Sequence, residues 1–422
     1  MTNSPFSKEN LLYLQAEKCK ACTHCIRVCP TEAIRIRNGK ATILNHRCIQ
    51  CGQCIAACPR KAWEVRSKDL MEILNLGKAR AVLDPSVGWQ MGMGKNPFEV
   101  IDIFKKIGFF EIIELNEALT QYRWALEGYL YSSDIPKPVI GSACPSVIQL
   151  VQVKYPSLLE NLLPISLPQK IVAMILENSS KESVSEGDLY YISPCFALAQ
   201  AVRDPSFGHR QYRGAIPFRN IYNSLQIHGR SIRKESMISI PHPIDENWKW
   251  ADPGKWIESI QIDRLVVVDG IRNVSEILDR VENGFLEEIQ FIEAWACPGG
   301  CLGGSLLTEN PYLARANLNH WRKAKQAYIK MEPRDSDFLS SFSERYRMNP
   351  RPFPRPGLRL DEDMARAIAK LREIDRVVKL LPGIDCGSCG CPTCLAFAED
   401  VVQGYAQEGD CLYWQRLPKR MD

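Results

Sequence analysis

Cysteine placement constrains this chain more than any other feature. Seventeen cysteines stand in 422 residues, eight between Cys19 and Cys58, five between Cys386 and Cys411, and four apart at Cys144, Cys195, Cys297 and Cys301. A chain this long buries a sizeable core without covalent staples. Cysteines grouped this way in a reducing compartment are more often metal ligands than disulfides. Thiolates also select soft sites, iron–sulfur clusters and zinc above all.

The remaining composition narrows the class by exclusion. An apolar fraction of 45% and a charged fraction of 24% belong to a globular chain. The formal charge of +4 comes from scattered basic residues, so the expectation is a solvated surface and no nucleic-acid partner. No charged-then-apolar leader opens the sequence, and no apolar run approaches the roughly 18 residues of a membrane helix. A cytoplasmic protein without a membrane span is expected, one still able to dock on a larger complex. No dinucleotide-binding glycine fingerprint is present, so no nucleotide site is expected.

Cys19, Cys22, Cys25 and Cys29 follow the spacing C-x2-C-x2-C-x3-C-P, and Cys48, Cys51, Cys54 and Cys58 repeat it. Two-residue gaps let three thiolates reach three corners of one four-iron cube, while the fourth serves the neighbouring cube. The crossed sets are therefore Cys19, Cys22, Cys25 and Cys58 for one cluster and Cys48, Cys51, Cys54 and Cys29 for the other. Zinc ribbons also use C-x2-C pairs, but a doubled run closed twice by proline favours cubes. The segment resembles two-cluster bacterial ferredoxins. His24, inside the first run, is read as a solvent-facing loop residue.

Cys386, Cys389, Cys394 and Cys411 form a third pattern, C-x2-C-x4-C-x16-C, on a glycine-rich loop followed by a helix expected to run about four turns. The pattern resembles the small four-iron domain of the B subunit of Rnf-type complexes and of sensory-type iron-only hydrogenase relatives. Zinc is again the rival. Cys391 is read as a structural thiol or spare ligand.

Between these ends the texture is strand–helix–strand, from ARAVLDPS through DRLVVVDG to EEIQFIEAWAC, which argues for parallel α/β sheets. Three of the isolated cysteines follow directly after a predicted strand, where ligand sites of such sheets lie. GSACPSV around Cys144, ISPCFALAQAV around Cys195 and EAWACPGGCLGG around Cys297 and Cys301 resemble the three cluster-binding signatures of iron-only hydrogenases. DPS at Asp84–Ser86 is similar to that family's pocket-lining Pro-Ser segment. The resemblance implies that Cys144, Cys195, Cys297 and Cys301 hold a central cube. Pro85, Ser86 and Trp295 would line the pocket, and Cys301 would bridge to a two-iron subsite where one exists. The bland alternative is four unrelated buried cysteines.

The expected organisation is α/β: hydrogenase-like, two-lobed parallel sheets over residues 79–345, a small α+β ferredoxin domain at 1–66, a linker and helix at 346–380, and a small helical four-iron domain at 381–422. A Pro/Arg-rich stretch at 349–360 reads as extended linker.

Departures from the family pattern set the functional expectation. Ala143 stands where active members carry a proton-relaying cysteine, Leu198 where a lysine donates to cyanide, and Trp295 where a methionine lies. Losing one positioned acid–base group costs about 10²–10⁴ in rate, so no catalytic residue is assigned. The expectation is an electron-transfer protein with four 4Fe-4S clusters, serving redox partners or a larger electron-transfer complex without efficient hydrogen turnover. Its N-terminal and C-terminal clusters would act as two ports to the central one. The alternative keeps the two-iron subsite as a sensory hydrogenase with slow turnover; as an enzyme it would be an oxidoreductase of iron-only hydrogenase type.

Overall fold

The computed structural model describes residues 10–75, 77–92, 97–132, 134–179, 189–230, 246–324, 335–355 and 357–414. They fall into two compact units. One holds Val65–Phe353 with Asn10 and Leu11; the other holds Leu12–Glu64 and Pro354–Asp422. The segments carrying the first eight and the last five cysteines thus share one unit.

Parallel strands with interleaved helices build the larger unit. Strands Glu111–Glu114, Arg80–Leu83, Leu189–Ser193 and Tyr212–Pro217 make a four-stranded parallel sheet in that spatial order. Leu265–Asp269, Phe291–Trp295 and Val139–Ile140 make a second, three-stranded parallel sheet. The central strands are short and rich in β-branched and aromatic residues because both their faces are covered. Leu189–Ser193 and Phe291–Trp295 are buried throughout. The covering helices show the matching period: Ile271, Val274, Leu278 and Val281 are the buried residues of helix Ile271–Glu282.

In the smaller unit, helices His24–Val28 and Gln53–Ala57 each begin after a left-handed residue, Thr23 and Gly52, which is the structural form of the sequence repeat. A hairpin pairs Ile34–Arg37 with Lys40–Ile43. Helices Met364–Leu380 and Cys394–Val402 enclose a separate core containing Ile374, Val377, Phe397 and Cys391. The helix expected to run four turns starts at Cys394 itself and stops at Val402. The chain then turns at left-handed Gly404 and continues to a single 3-10 turn, Glu408–Asp410, before Cys411. The shorter helix lets the last cysteine return toward the first three.

The Pro/Arg-rich stretch lacks regular structure, yet it is tied down. Arg355 Nη2 donates to the carbonyls of Asn45, His46 and Cys48, at 3.1, 3.3 and 3.1 Å. Arg47 Nε donates to Gly357 O at 3.0 Å. Arg35 and Arg47 are 2% and 5% exposed, so part of the basic complement is buried structure and not solvated surface. No helix among the described residues is long and apolar enough to cross a membrane.

Candidate metal centres

Four spaces are ringed by cysteine sulfur. Cys19, Cys22, Cys25 and Cys58 line one cavity together with Ile36 and Trp63. Burial pushes the Cys25 thiol up to about 11, with Cys19 and Cys22 near enough to add to the rise. Around the second space, burial holds Cys54 far above the ordinary thiol range, and Cys48, Cys51 and Cys29 all lie close enough to raise it further. Cys58, the last cysteine of the second run, thus lies with the first run's three, and Cys29 lies near Cys48 and Cys54. His24 is exposed, its Nδ1 3.1 Å from Cys22 O.

The third space lies in the larger unit, at the carboxyl ends of strands from both sheets. Cys144 follows strand Val139–Ile140, Cys195 follows Leu189–Ser193, and Cys297 follows Phe291–Trp295. Cys301 feels the charges of Asp84, Cys195, Cys144 and Cys297 on top of burial, which holds its thiol far above the usual range. Burial pushes Cys195 up to about 12, against N–H donation from Leu198 and Ala197. Burial raises Cys144 as well, opposed by N–H groups of Ala296, Val147 and Ser146. Buried thiols with raised affinity for protons and backbone donors aimed at sulfur are what a metal converts to stable thiolates. Gly300, at φ +66°, leaves no room for a side chain: a Cβ would sit 2.6 Å from Pro253 Cδ and 2.7 Å from Ala251 O.

The residues expected to line a pocket here fall as follows. Pro85 and Ser86 are buried in the 3-10 turn after strand Arg80–Leu83. Leu198 is buried, on helix Phe196–Ala201. Ala143 sits immediately before Cys144. Trp295 is buried, donates from Nε1 to Glu293 at 2.6 Å and meets Trp250 edge-on at 5.5 Å, so its ring belongs to an aromatic cluster with Trp256 and Tyr122.

Asp84 is the pocket residue that sequence reasoning passed over, although its DPS segment was in view. It is fully buried. Oδ1 accepts from Ser86 N at 2.9 Å and Ser86 Oγ at 2.5 Å, and Oδ2 accepts from Tyr191 at 2.7 Å. Gln169 supports Tyr191 at 2.9 Å. Burial raises the carboxyl's affinity for its proton, and these donors oppose the rise.

The fourth space is lined by Cys386, Cys389, Cys394 and Cys411, with Cys391 beside them. Cys391 is 1% exposed and accepts from Arg37 Nη2 at 3.3 Å. Its thiol donates to Asp400 Oδ2 at 3.4 Å, and its close approach holds the Cys389 thiol below the ordinary range. Each set in the smaller unit also has a cation on a ligand carbonyl: Lys40 Nζ on Cys19 O at 3.0 Å, Arg355 Nη2 on Cys48 O at 3.1 Å and Arg37 Nη1 on Cys389 O at 3.2 Å. No spacing pattern marks these three residues. Among the described residues, no three His, Cys, Asp or Glu side chains are arranged to hold a single metal ion.

Clustered, buried thiols on an α/β fold define an iron–sulfur protein with several clusters. The signature described as iron only hydrogenase large subunit, C-terminal domain, matches residues 79–236 and 249–305, about half of the chain, and the chain belongs to that family. A 4Fe-4S dicluster domain matches residues 11–59, and an Fe-S cluster domain matches residues 381–413. Among solved structures, an FeFe hydrogenase from Chlamydomonas reinhardtii is similar at 15% identity and a TM-score of 0.46, covering 66% of this chain and 93% of its own. An FeFe hydrogenase from work on oxygen inactivation is similar at 16% identity and a TM-score of 0.44, covering 64% and 89%. Among curated proteins none is significantly similar.

Proposed function

We propose that this chain is a cytoplasmic electron relay holding four 4Fe-4S clusters, with a cube alone at the central site and no efficient hydrogen turnover. Each of the four cysteine sets supplies the four soft donors that one cube requires. The cubes would supply one-electron storage. The chain's own residues would bury them, direct N–H groups at sulfur and place cations on the ligand loops.

One observation carries the argument against turnover. Asp84, fully buried, acts on Cys301 by its charge, and Leu198, apolar and buried, meets Cys195 through its N–H at 3.5 Å. A two-iron group bearing anionic cyanide needs donors and positive charge there. A buried carboxylate repels such a group, and leucine leaves its acceptors unpaired. Ala143 has no proton to relay. The residues present therefore suit a cube and do not suit the two-iron subsite. The chain would serve a redox partner protein or a larger electron-transfer complex.

Metal and sulfide counting with infrared spectroscopy on anaerobically purified protein tests the reading. The expected result is about sixteen irons per chain, the sum of four cubes, without carbonyl or cyanide bands. Two further irons together with such bands would contradict it, and turnover with a reduced dye would then separate a sensory protein from an ordinary hydrogenase.

A further inference from the structure

The ligand loop of the C-terminal set is held by residues of the first ferredoxin run. Arg37 Nη1 donates to Cys389 O at 3.2 Å, while its Nη2 reaches Cys391 Sγ at 3.3 Å and Asp400 Oδ2 at 2.5 Å. Arg27 Nη2 donates to Cys386 O at 3.4 Å. The backbone N–H of Ile36 donates to Gly390 O at 2.7 Å. Ile36 also lines the cavity ringed by Cys19, Cys22, Cys25 and Cys58. Ile36 and the Gly390 it bonds therefore lie between the two cysteine-lined cavities on this side.

A second contact joins the same two loops. A Cβ on Gly387, next to Cys386, would lie 3.4 Å from Ile26 Cδ1 and 3.8 Å from Thr23 Cγ2, both within the first run. Gly390 has φ +79°, and a Cβ there would run into the carbonyl of Ile36, so the seam closes only around glycine. The second ferredoxin set is handled differently: its loop is gripped by Arg355.

The charge at this seam is not balanced by ion pairing alone. Arg35 takes both oxygens of Asp400, at 2.6 and 2.9 Å, and Arg37 adds a second guanidinium to the same carboxylate. Two cations share one anion beside the C-terminal loop, and Arg37 also reaches Ile36 O at 3.0 Å, Cys389 O at 3.2 Å and Cys391 Sγ at 3.3 Å. An arginine present only to neutralise Asp400 has no need of Cys389 O or Cys391 Sγ.

We infer that Arg37 is the residue that positions the C-terminal cluster and raises its reduction potential. The Ile36–Gly390 seam keeps that site adjacent to the first ferredoxin site, so that the two interact magnetically. The inference deepens the four-cluster reading and rests on it. A cation near a cluster stabilises the more negative reduced state, and hydrogen bonds onto its ligands act in the same direction. The N-terminal and C-terminal centres are then neighbouring stations in one unit, not independent ports.

The test is potentiometric EPR on the full chain, reconstituted anaerobically, with its iron counted. In the fully reduced protein the first ferredoxin signal should be broader than the second ferredoxin cube alone makes it, and Cys411→Ser should remove that extra broadening together with one cube's iron. Arg37→Gln should lower the midpoint of the C-terminal cluster and leave the second ferredoxin cluster unmoved, and Arg37→Lys should recover part of the shift. Should Arg37→Gln shed its cluster, the Arg37→Lys midpoint and the Cys411→Ser spectrum decide in its place. Full iron content with simply additive spectra, or a C-terminal midpoint indifferent to Arg37, overturns the inference while the four-cluster reading stands. A wild-type chain short of one cube in the smaller unit overturns both.

Discussion

Arg35 clasps Asp400 in a two-bond fork, Nε to Oδ2 at 2.6 Å and Nη2 to Oδ1 at 2.9 Å, and both side chains are buried. The partners are 365 residues apart, one on the ferredoxin hairpin and one on helix Cys394–Val402. With Arg47 on Glu399 at 2.7 Å, this pair ties the two ends of the chain into one unit.

Asp400→Asn keeps the shape of the fork and removes the anion both guanidinium groups share, leaving Arg35 with the charge of Glu32 but no paired carboxylate. Breaking a buried pair this way costs about 3–5 kcal/mol. Denaturant unfolding of the oxidised protein, followed by cluster absorbance, should show the loss, and an unchanged midpoint would contradict the clasp's role.

At the central site, Cys195→Ser should cost one cube, about four irons of sixteen, with the ferredoxin EPR signals retained because those sulfurs lie in the other unit. Iron and acid-labile sulfide counts read the first outcome. Loss of all signals together would instead make the central cluster a structural requirement of the whole chain.

Arg355 grips the second ferredoxin loop through the carbonyls of Asn45, His46 and Cys48. Arg355→Gln should therefore lower the midpoint of the cluster held by Cys29, Cys48, Cys51 and Cys54, and shift the first cluster less. Redox titration by EPR would reject this if both midpoints moved equally.

Glu293 is a buried carboxyl accepting from Trp295 at 2.6 Å, Trp256 at 2.8 Å and Gly254 N at 3.0 Å. Burial raises its affinity for a proton, and those donors only partly offset this. A carboxyl that holds its proton more tightly folded than unfolded supports the fold below the ordinary carboxylate range. That support fades as pH climbs through the raised value. Against wild type, Glu293→Gln should show a flatter stability profile across this window in denaturant titrations at stepped pH. Parallel profiles would mean that Glu293 is ionised in both states.

Much of this organisation is legible in local sequence because it is periodic. The C-x2-C-x2-C-x3-C-P runs place three sulfurs on one loop by spacing alone, and the strand ends before Cys144, Cys195 and Cys297 follow from apolar runs closed by small residues. The C-terminal helix was misjudged in length because AFAEDVVQGYAQ keeps its apolar period past Val402, while left-handed Gly404 ends the helix. The extended linker's proline and arginine leave no periodic trace of its partners, yet Arg355 and Gly357 fasten it to the second ferredoxin loop and Arg47.

Sequence by itself determined the cysteine spacing and the strand-end placement from which the expected groupings come, since these are properties of short stretches. Tertiary structure alone decided what surrounds them: Asp84 beside Cys301, Arg37 on the C-terminal loop, and Arg35 buried on Asp400. An arginine or an aspartate carries no mark in a linear sequence of the charge it will face. Burial and partnership are set only when segments hundreds of residues apart close on one another.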